Sequence, residues 1–282
     1  MNKNIGYILT AFAVIALIGG ILLSRTHPEE NFTPRDYPEI VASGILNAVT
    51  EYNAISYHVD SGQITGFDYE LLQAFAQEKK LEARITPEMS FTNRLQSVLK
   101  GQYDILATGT LVNSTSKDSL LFTRPIQLSK QVLVQRIAQS DTDSAYIKSQ
   151  LQLAGKTLYI VKGSPSILRL HHLMEEIADS IYIKEVELYG PEQLLAMVAN
   201  KDIDYAVCDE SIALASRQDF PNLDIKTDIS FTQFYSWGVS KSSPVLLDTL
   251  NCWLERYTQT KEYKKLCKRY FNYRYKTMNI LE

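Results

Sequence analysis

Apolar residues along this chain recur with two periods, one typical of buried strands and one typical of amphipathic helices. Phe67, Leu71, Leu72 and Phe75 fall on one face of a predicted helix that covers residues 66–80. Strand and helix patterns alternate on both sides of this helix. The elements predicted for this first set are a strand at 45–50, the helix at 66–80, a strand at 81–86, a helix at 91–101 and a strand at 103–108.

A second set with the same alternation follows. Its predicted elements are a strand at 156–163, a helix at 164–179, a strand at 180–188, a helix at 191–201 and a strand at 204–209. Strands that alternate with helices favour mainly parallel sheets covered by helices, so the pattern predicts an α/β fold.

Two sets of this kind predict two lobes. Residues 125–136 form an extended run long enough to cross from the first lobe to the second, and a strand at 231–241 is the candidate return. Helices at Pro244–Tyr257 and at about 261–269 then complete the first lobe. The predicted lobe 1 comprises residues 44–128 and 233–282, and the predicted lobe 2 comprises residues 129–232. Two crossing strands make a hinge, which permits closure around a ligand.

The first 24 residues have a different pattern. Ile5 to Leu23 is a stretch of 19 residues without a charge, preceded by Lys3 and followed by Arg25. A stretch of about 18 or more can span a bilayer, whereas the core of a signal peptide is typically shorter. Residues 1–24 are therefore expected to be an N-terminal membrane anchor, with a cleaved signal as the alternative, and residues 25–43 a polar tether. Either interpretation predicts a body outside the cytoplasm, periplasmic and tethered to the inner membrane, or secreted if the segment is cleaved.

Composition narrows the function further. A formal net charge of −3 gives no support to a nucleic-acid partner. The three cysteines, Cys208, Cys252 and Cys267, show no Cys/His spacing typical of zinc, and neither a metal nor another cofactor is expected. Cys208 lies in an apolar strand and is expected to be an inert core residue, while a Cys252–Cys267 disulfide stays open. We expect a monomer.

Polar or small residues follow three of the predicted strands. These segments are Thr108-Gly109-Thr110, Gly163-Ser164 at the start of a helix, and Asp209. Ligands of open α/β sheets bind beyond the carboxyl ends of the strands, and a helix start attracts anions such as carboxylates. Each segment also has a local explanation, because Ser164 and Asp209 are good helix caps and Gly109 suits a turn. Their joint occurrence favours a binding site.

The order and spacing of several motifs resemble the family 3 extracytoplasmic solute-binding proteins, which include amino-acid receptors of ABC transporters. The motifs are "GQITGFDYELLQAFA", "LKGQYDILATGT", "LLFTRP", "LAGKTLYIVKGS" and "KDIDYAVCD", and the likeness covers roughly residues 44–272. Two segments are most similar to the binding domain of the lytic murein transglycosylase F family, which carries a separate peptidoglycan-cleaving domain. The resemblance implies the type II periplasmic-binding-protein fold, with a ligand held between two hinged lobes.

The family positions that line the ligand cleft fall on Asn53, Tyr57, Thr108, Gly109, Thr110, Ser164 and Asp209. In amino-acid binders of this family, the residue matching Asp209 accepts the α-ammonium group of the ligand. The arginine that clamps the α-carboxylate in those proteins is replaced here by Ser116, whose hydroxyl cannot make a bidentate charged contact. Arg169 is a candidate substitute, although a solvated surface position is the alternative. A standard free amino acid is therefore in doubt as the ligand, and a peptide or muropeptide becomes more plausible.

The dipeptide Glu210-Ser211 raises an enzymatic alternative, since lytic transglycosylases use a helical Glu-Ser. Only 71 residues follow Ser211, and no second carboxylate can be assigned as a partner. The dipeptide also lies inside the resemblance to a binding domain, so we expect a helix-start acid and no catalysis. The expected function is solute binding for ABC-type uptake or for sensing, with an ABC permease or a cell-wall enzyme as the possible protein partner. A murein-directed enzyme or regulator is the alternative.

Overall fold

The computed structural model describes residues 32–271, except 113, 141, 188 and 189. The described residues from 33 to 271 belong to one compact unit. The predicted anchor at 1–24 lies outside the described residues, and none of the helices within them is long and apolar enough to cross a membrane.

The first sheet contains six strands and mixes two directions. Its strand order is β4-β1-β5-β13-β6, and β7 also pairs with β13. Strand β1 lies parallel to β4 and β5, whereas β13 is antiparallel to β5, β6 and β7. The bounds are β1 Ile45–Thr50, β4 Glu82–Pro87, β5 Ile105–Leu111, β6 Leu120–Phe122, β7 Gln127–Ser129 and β13 Gln233–Ser240.

Six helices belong to this first lobe. They are α1 Tyr37–Ser43, α2 Phe67–Lys79, α3 Phe91–Leu99, α4 Ser114–Ser119, α8 Pro244–Tyr257 and α9 Lys261–Tyr270. Helices α2, α8 and α9 bury their apolar stripes in one core, in which Phe67, Phe75, Trp237 and Trp253 are fully shielded from water. A small hairpin, β2 His58–Asp60 and β3 Gln63–Thr65, was not predicted as strands and lies before α2.

The second sheet contains five strands and repeats the same plan. Its order is β10-β9-β11-β8-β12, in which β9 is parallel to β10 and β11, and β8 is antiparallel to β11 and β12. The strands are β8 Gln131–Arg136, β9 Thr157–Val161, β10 Tyr182–Val186, β11 Ala206–Asp209 and β12 Leu223–Asp224. The helices are α5 Ser166–Ile177, α6 Pro191–Ala199 and α7 Glu210–Ala215. The structure therefore has the predicted two-lobe α/β architecture.

The chain crosses between the sheets twice. Strand β7 belongs to the first sheet and β8 to the second, so the outward crossing occurs at Lys130. The return runs through residues 229–232 beside it, and the backbone N–H groups of Ile229 and Ser230 both donate to the carbonyl of Gln131. The predicted return strand at 231–241 pairs only within the first sheet, because β13 begins after the crossing is complete.

The prediction of a polar tether as far as residue 43 is wrong for residues 35–43. Helix α1 begins after Asp36 with Pro38 in its first turn, and Ile40 is fully buried. The Arg35 guanidinium forms an ion pair with Asp104 at 2.6 Å. A Cβ added at Gly101 would lie 2.1 Å from the backbone of Thr33, so the chain is docked on lobe 1 from that residue onward. A capping box and a buried apolar residue outweigh the polar composition of this segment.

All three cysteines are free. Cys252 is exposed on α8, whereas Cys267 is buried in α9. Cys208 is buried as predicted, and burial raises the pKa of its thiol well above the ordinary value.

Asp68 is a carboxyl group inside the core of lobe 1. Its Oδ1 accepts a hydrogen bond of 2.7 Å from Trp237 Nε1, which connects α2 to β13. Burial raises the pKa of Asp68 to about 7, against the hydrogen bonds from Trp237, Ser56 and the backbone of Gly109, which lower it. The folded protein therefore binds a proton at Asp68 more tightly than the unfolded chain does.

Asp68→Asn is expected to flatten the pH dependence of stability between about pH 4 and pH 7. Because the folded-state pKa is raised, the free energy of unfolding is highest below the unfolded pKa and falls as pH rises toward the folded pKa. The fall attributable to this group is at most roughly 4 kcal/mol. Urea unfolding across this range measures it, with Asp60→Asn on the exposed hairpin as the control. An unchanged slope in Asp68→Asn would show that Asp68 titrates normally.

Asp36→Ala is expected to weaken two helix starts at once. Asp36 Oδ1 accepts from the N–H groups of Tyr37 and Leu246, and Oδ2 accepts from that of Val245. Loss of one cap costs about 0.5–2 kcal/mol, so we expect a loss of about 2–3 kcal/mol in the free energy of unfolding. Asp248→Ala, an exposed acid on α8, is the matched control and should change it by less than about 0.5 kcal/mol. Equal losses in the two variants would contradict the double cap.

Candidate functional site

A cleft lies where the carboxyl ends of β1, β5, β9 and β11 face one another across the two crossings. It encloses about 810 Å³ of empty space, part of it open to solvent. Lobe 1 supplies one wall, lobe 2 the other, and residues of the crossings lie at the base. The lining residues used below are Glu51, Asn53, Arg94, Thr108, Gly109, Thr110, Gln127, Gln131, Ser164, Pro191, Cys208, Asp209 and Tyr235.

Asp209 is the last residue of β11 and the N-cap of α7. Its Oδ1 accepts from Ser211 N at 2.8 Å and from Ser129 Oγ at 2.7 Å. Its Oδ2 is buried and has no hydrogen-bond partner in the described part of the chain. The predicted helix cap is therefore present at Oδ1, and Asp209 also lines the cleft, where its ligand-binding role stays a prediction.

Burial raises the pKa of Asp209, because an ionised carboxylate loses its hydration in this position. The Ser129 hydroxyl, the Tyr235 hydroxyl and Ser211 oppose the rise through their hydrogen bonds to the carboxylate. Tyr235 in turn accepts from Gln131 Nε2 at 2.7 Å. An ammonium group placed at Oδ2 would supply the missing donor and stabilise the ionised form.

The Asn53 side chain shapes the turn after β1. Its Oδ1 accepts from the N–H groups of Ile55 and Ser56 at 2.9 and 2.7 Å, and its Nδ2 donates to Glu51 Oε2 at 2.7 Å. All of its strong contacts are internal to lobe 1. Asn53 lines the cleft, but its hydrogen bonds hold the wall and leave little polar capacity for a ligand.

Thr108, Gly109 and Thr110 form the end of β5 in the cleft. The hydroxyls of Thr108 and Ser56 lie 3.1 Å apart, and Thr110 Oγ1 donates to the Thr108 carbonyl at 3.1 Å. A Cβ added at Gly109 would lie 2.9 Å from Gln127 Nε2, so the glycine makes room for this amide. Gln127 Oε1 is buried without a partner, which adds a second unsatisfied acceptor to the cleft.

Arg94 and Glu51 form a buried ion pair that the sequence analysis missed. Arg94 NH2 lies 2.8 Å from Glu51 Oε1, and the side chains are only 4% and 12% exposed. Arg94 NH1 donates to the carbonyls of Glu88 and Met89, while Nε is buried and unpartnered. Arg94 stands three residues after Phe91 and four before Val98, on the buried face of α3. The sequence does contain an indication of this pair, because Arg94 occupies a position at which the helical periodicity predicts an apolar residue.

Lobe 2 contributes Ser164 and the start of α5. Gly163 has a left-handed φ of 72°, which turns the chain from β9 into the helix. The Ser164 and Ser166 hydroxyls lie 2.7 Å apart, and Ser164 Oγ also accepts weakly from Ser166 N at 3.3 Å. The helix N-cap is Pro165 and not Ser164, so the predicted cap is displaced by one residue.

Three residues predicted for the site lie outside the lining of the cleft. Tyr57 is 8% exposed, and its ring packs edge-on against Tyr69 with centroids 5.6 Å apart. Ser116 Oγ donates to the carbonyl of Leu111 at 3.2 Å. Arg169 forms a bidentate ion pair with Glu176 and donates to the carbonyl of Ile229 at 2.8 Å. These contacts hold each side chain away from the cleft, so the structure gives Arg169 no role as a carboxylate clamp.

Glu210 and Ser211 face different surroundings. Ser211 is 1% exposed and its hydroxyl lies 3.0 Å from Ser129 Oγ. Glu210 Oε1 lies 3.4 Å from Lys130 Nζ, in a separate pocket of lobe 2. The dipeptide is therefore divided between the core and a site outside the cleft. Among the described residues, no group of three His, Cys, Asp or Glu side chains is placed to hold a metal ion.

The match to two curated relatives covers most of this chain, but this chain spans less than half the length of either relative. Membrane-bound lytic murein transglycosylase F of Photobacterium profundum is 25% identical over 229 residues, which are 81% of this chain and 43% of that protein. The protein of the same name from Alcanivorax borkumensis is 27% identical over 232 residues, 82% of this chain and 47% of its own length.

Solved structures share the fold. A variant of ArgBP from T. maritima has a TM-score of 0.71 and 24% identity, covering 83% of this chain and 98% of that chain. AbpA from Streptococcus pneumoniae bound to L-arginine, an amino acid ABC transporter substrate-binding protein, has a TM-score of 0.70 and 24% identity with the same coverage. The ancestral amino acid-binding protein AncCDT-1 has a TM-score of 0.70 and 21% identity.

The match to a family model is nearly as long as the two lobes together. It covers residues 46–273, from β1 to the end of α9, and includes every lining residue of the cleft. The chain therefore belongs to the bacterial extracellular solute-binding proteins, family 3.

Proposed function

We propose that this protein binds a small polar solute with a positively charged amine in the cleft between its lobes. The observation that carries the proposal is the cleft-lining residue Asp209, whose buried Oδ2 has no hydrogen-bond partner in the described chain. A buried acceptor without a donor costs free energy, and an ammonium group satisfies it with a charge-assisted hydrogen bond.

The charges of the cleft support a cationic ligand group. Its charged lining residues are Glu51, Asp209 and Arg94, which carry a formal net charge of −1 when both acids are ionised. The Arg94 charge is matched by Glu51 at 2.8 Å. Gln127 Oε1 adds a second acceptor without a partner.

The same geometry disfavours a ligand that depends on a free α-carboxylate. Ser116 and Arg169 both lie outside the cleft lining, and the Arg94 guanidinium already donates three of its five N–H groups to Glu51, Glu88 and Met89. A free α-carboxylate would therefore compete with Glu51 for the Arg94 charge. A peptide, an amide or a basic amino acid that gains affinity from its amines fits these groups better than an acidic amino acid.

Bound solute is proposed to be passed to an ABC permease or reported to a cell-wall enzyme, outside the cytoplasm. The structural neighbour AbpA supports uptake, since it is a transporter substrate-binding protein bound to L-arginine. The second candidate is a murein-linked regulator that binds muropeptides, which the likeness to membrane-bound lytic murein transglycosylase F favours. The match covers 43% and 47% of the length of those relatives, so the activity of the whole relatives is not carried over to this chain.

A thermal-shift screen of the full chain tests the proposal. L-arginine, L-lysine, neutral dipeptides and muropeptides are compared with L-glutamate and with N-acetylated versions of the same compounds. A ligand raises the melting temperature according to its excess over the dissociation constant, so an amine-bearing compound should raise it and its N-acetylated form should not. Stabilisation by L-glutamate alone would overturn the cationic preference.

Asp209→Asn is expected to weaken binding of an amine-bearing ligand found in that screen by about 1.5–3 kcal/mol, the usual worth of a hydrogen bond to a charged group. The amide retains an Oδ1 that can cap α7, so the fold should be preserved. Wild-type affinity should fall as pH is lowered through the raised pKa of Asp209, because protonation removes the negative charge. Isothermal titration calorimetry measures both effects. An Asn variant with wild-type affinity would remove Asp209 from the site.

Glu210→Gln is expected to leave ligand affinity unchanged, because Glu210 lies outside the cleft next to Lys130. It is the charge-matched control for Asp209→Asn, one residue away. Wild-type protein incubated with murein should release no soluble product, as measured by chromatography of the supernatant. Product release that disappears in Glu210→Gln would establish the enzymatic alternative.

A further inference from the structure

Glu192 connects the two lobes away from the hinge. It lies in the first turn of α6 in lobe 2, directly after the cleft residue Pro191. Its Oε1 accepts a hydrogen bond of 2.8 Å from the backbone N–H of Ala54, which belongs to lobe 1. Ala54 lies in the turn that the Asn53 side chain holds through its bonds to Ile55 and Ser56. A fixed donor on one lobe therefore meets an acceptor on the other.

The lobes approach each other closely on the same side of the cleft. A Cβ added at Gly190 would lie 2.6 Å from Met89 Cε, and one added at Gly163 would lie 3.0 Å from Thr92 Oγ1. Both glycines precede lobe 2 helices, and both neighbours belong to lobe 1. The absence of side chains at these two positions allows the start of α6 to come within hydrogen-bond reach of Ala54.

The surroundings of Glu192 make its carboxylate dependent on this contact. Burial raises the pKa of Glu192, while the Ala54 N–H and His58 lower it and Glu51 and Asp219 raise it. His58 on β2 and Glu51 after β1 face it from lobe 1, and Asp219 faces it from its own lobe. Closure thus removes water from a carboxylate that then has the Ala54 N–H as its hydrogen-bond donor.

We infer that Glu192 is a latch whose hydrogen bond to the Ala54 backbone stabilises the closed arrangement of the two lobes. Opening the cleft requires this bond to break, and the freed carboxylate then returns to water. The role of the latch in retaining a bound solute rests on the proposed function, whereas its effect on lobe closure is a property of the chain alone. Glu192 is thus a positioning residue that acts on the lobes and does not line the cleft itself.

The inter-lobe distance measures the latch without any ligand. Cys252 is exposed on α8 of lobe 1, and a second cysteine is introduced at the exposed Asp179 of lobe 2. Cys208 and Cys267 are buried and remain unlabelled. Spin labels at the two exposed cysteines report the populations of short and long separations by pulsed electron–electron resonance, in wild type and in Glu192→Ala.

Glu192→Ala is expected to raise the ratio of open to closed protein at least about tenfold, the factor that corresponds to a hydrogen bond with a charged group. Glu192→Gln keeps a side-chain oxygen as acceptor and should give a ratio between those of wild type and Glu192→Ala. Glu175→Ala removes the same charge from an exposed position on α5 of the same lobe and should match wild type. Circular dichroism checks that all variants are folded.

The inference is overturned if wild type shows only the long separation, if Glu192→Ala has the wild-type distribution, or if Glu175→Ala opens the lobes equally. These outcomes differ from those that test the proposed function. A protein that binds no solute in the thermal-shift screen but opens in Glu192→Ala would lose the proposed function and keep the latch.

Discussion

The hydrogen bond from Ser129 to Asp209 is the interaction on which the cleft depends. Ser129 is the last residue of β7, immediately before the chain leaves the first sheet. Asp209 is the last residue of β11, the central strand of the second sheet. The bond is 2.7 Å long, and Ser129 is fully buried while Asp209 is partly buried. It ties the carboxylate of lobe 2 to the crossing itself. The position of the free Oδ2 is thereby set by the hinge and not by α7 alone.

Several unsatisfied polar atoms lie near this point. Of the six buried side-chain polar atoms without a partner in the described chain, Asp209 Oδ2, Gln127 Oε1 and Arg94 Nε belong to residues that line the cleft, and the other three do not. Most buried polar groups in folded proteins are hydrogen-bonded, so three exceptions in one cavity identify where free energy is available for a ligand. Leaving these polar atoms without partners costs stability around the cleft. The apolar cores of the two lobes, which consist of separate sets of residues, offset this cost.

Much of the fold could be predicted from periodicity, because each strand and helix carries its own apolar pattern. Strand β1 and helix α8 have the predicted bounds, and the break between β7 and β8 falls inside the predicted crossing run. The docked segment at 35–43 was not predicted, since its order comes from Asp36 and Arg35 contacting residues more than 65 positions away. Long-range partners of this kind leave no periodic signal.

The site was predicted less completely than the fold. Thr108, Gly109, Ser164 and Asp209 could be placed in the cleft because they lie at or just beyond the carboxyl ends of strands in the two sheets. Arg169 was a candidate with a surface position as its alternative, and sequence spacing does not show that Glu176 two turns later would bind it. Arg94 and Glu192 were missed because each acts through a partner on another element. Chain order gives no information about such pairs until the lobes are assembled.

The docking of Thr33 and Pro34 against Gly101 also sets where the chain enters lobe 1. Arg35 continues this contact at the beginnings of β1 and β5, through the carbonyl of Ile45 and the carboxylate of Asp104. The cleft opens at the opposite edge of the same sheet, where those strands finish. A purification tag or other label attached directly before residue 33 would therefore join lobe 1 at the sheet edge opposite the cleft. It would leave the opening of the cleft unobstructed.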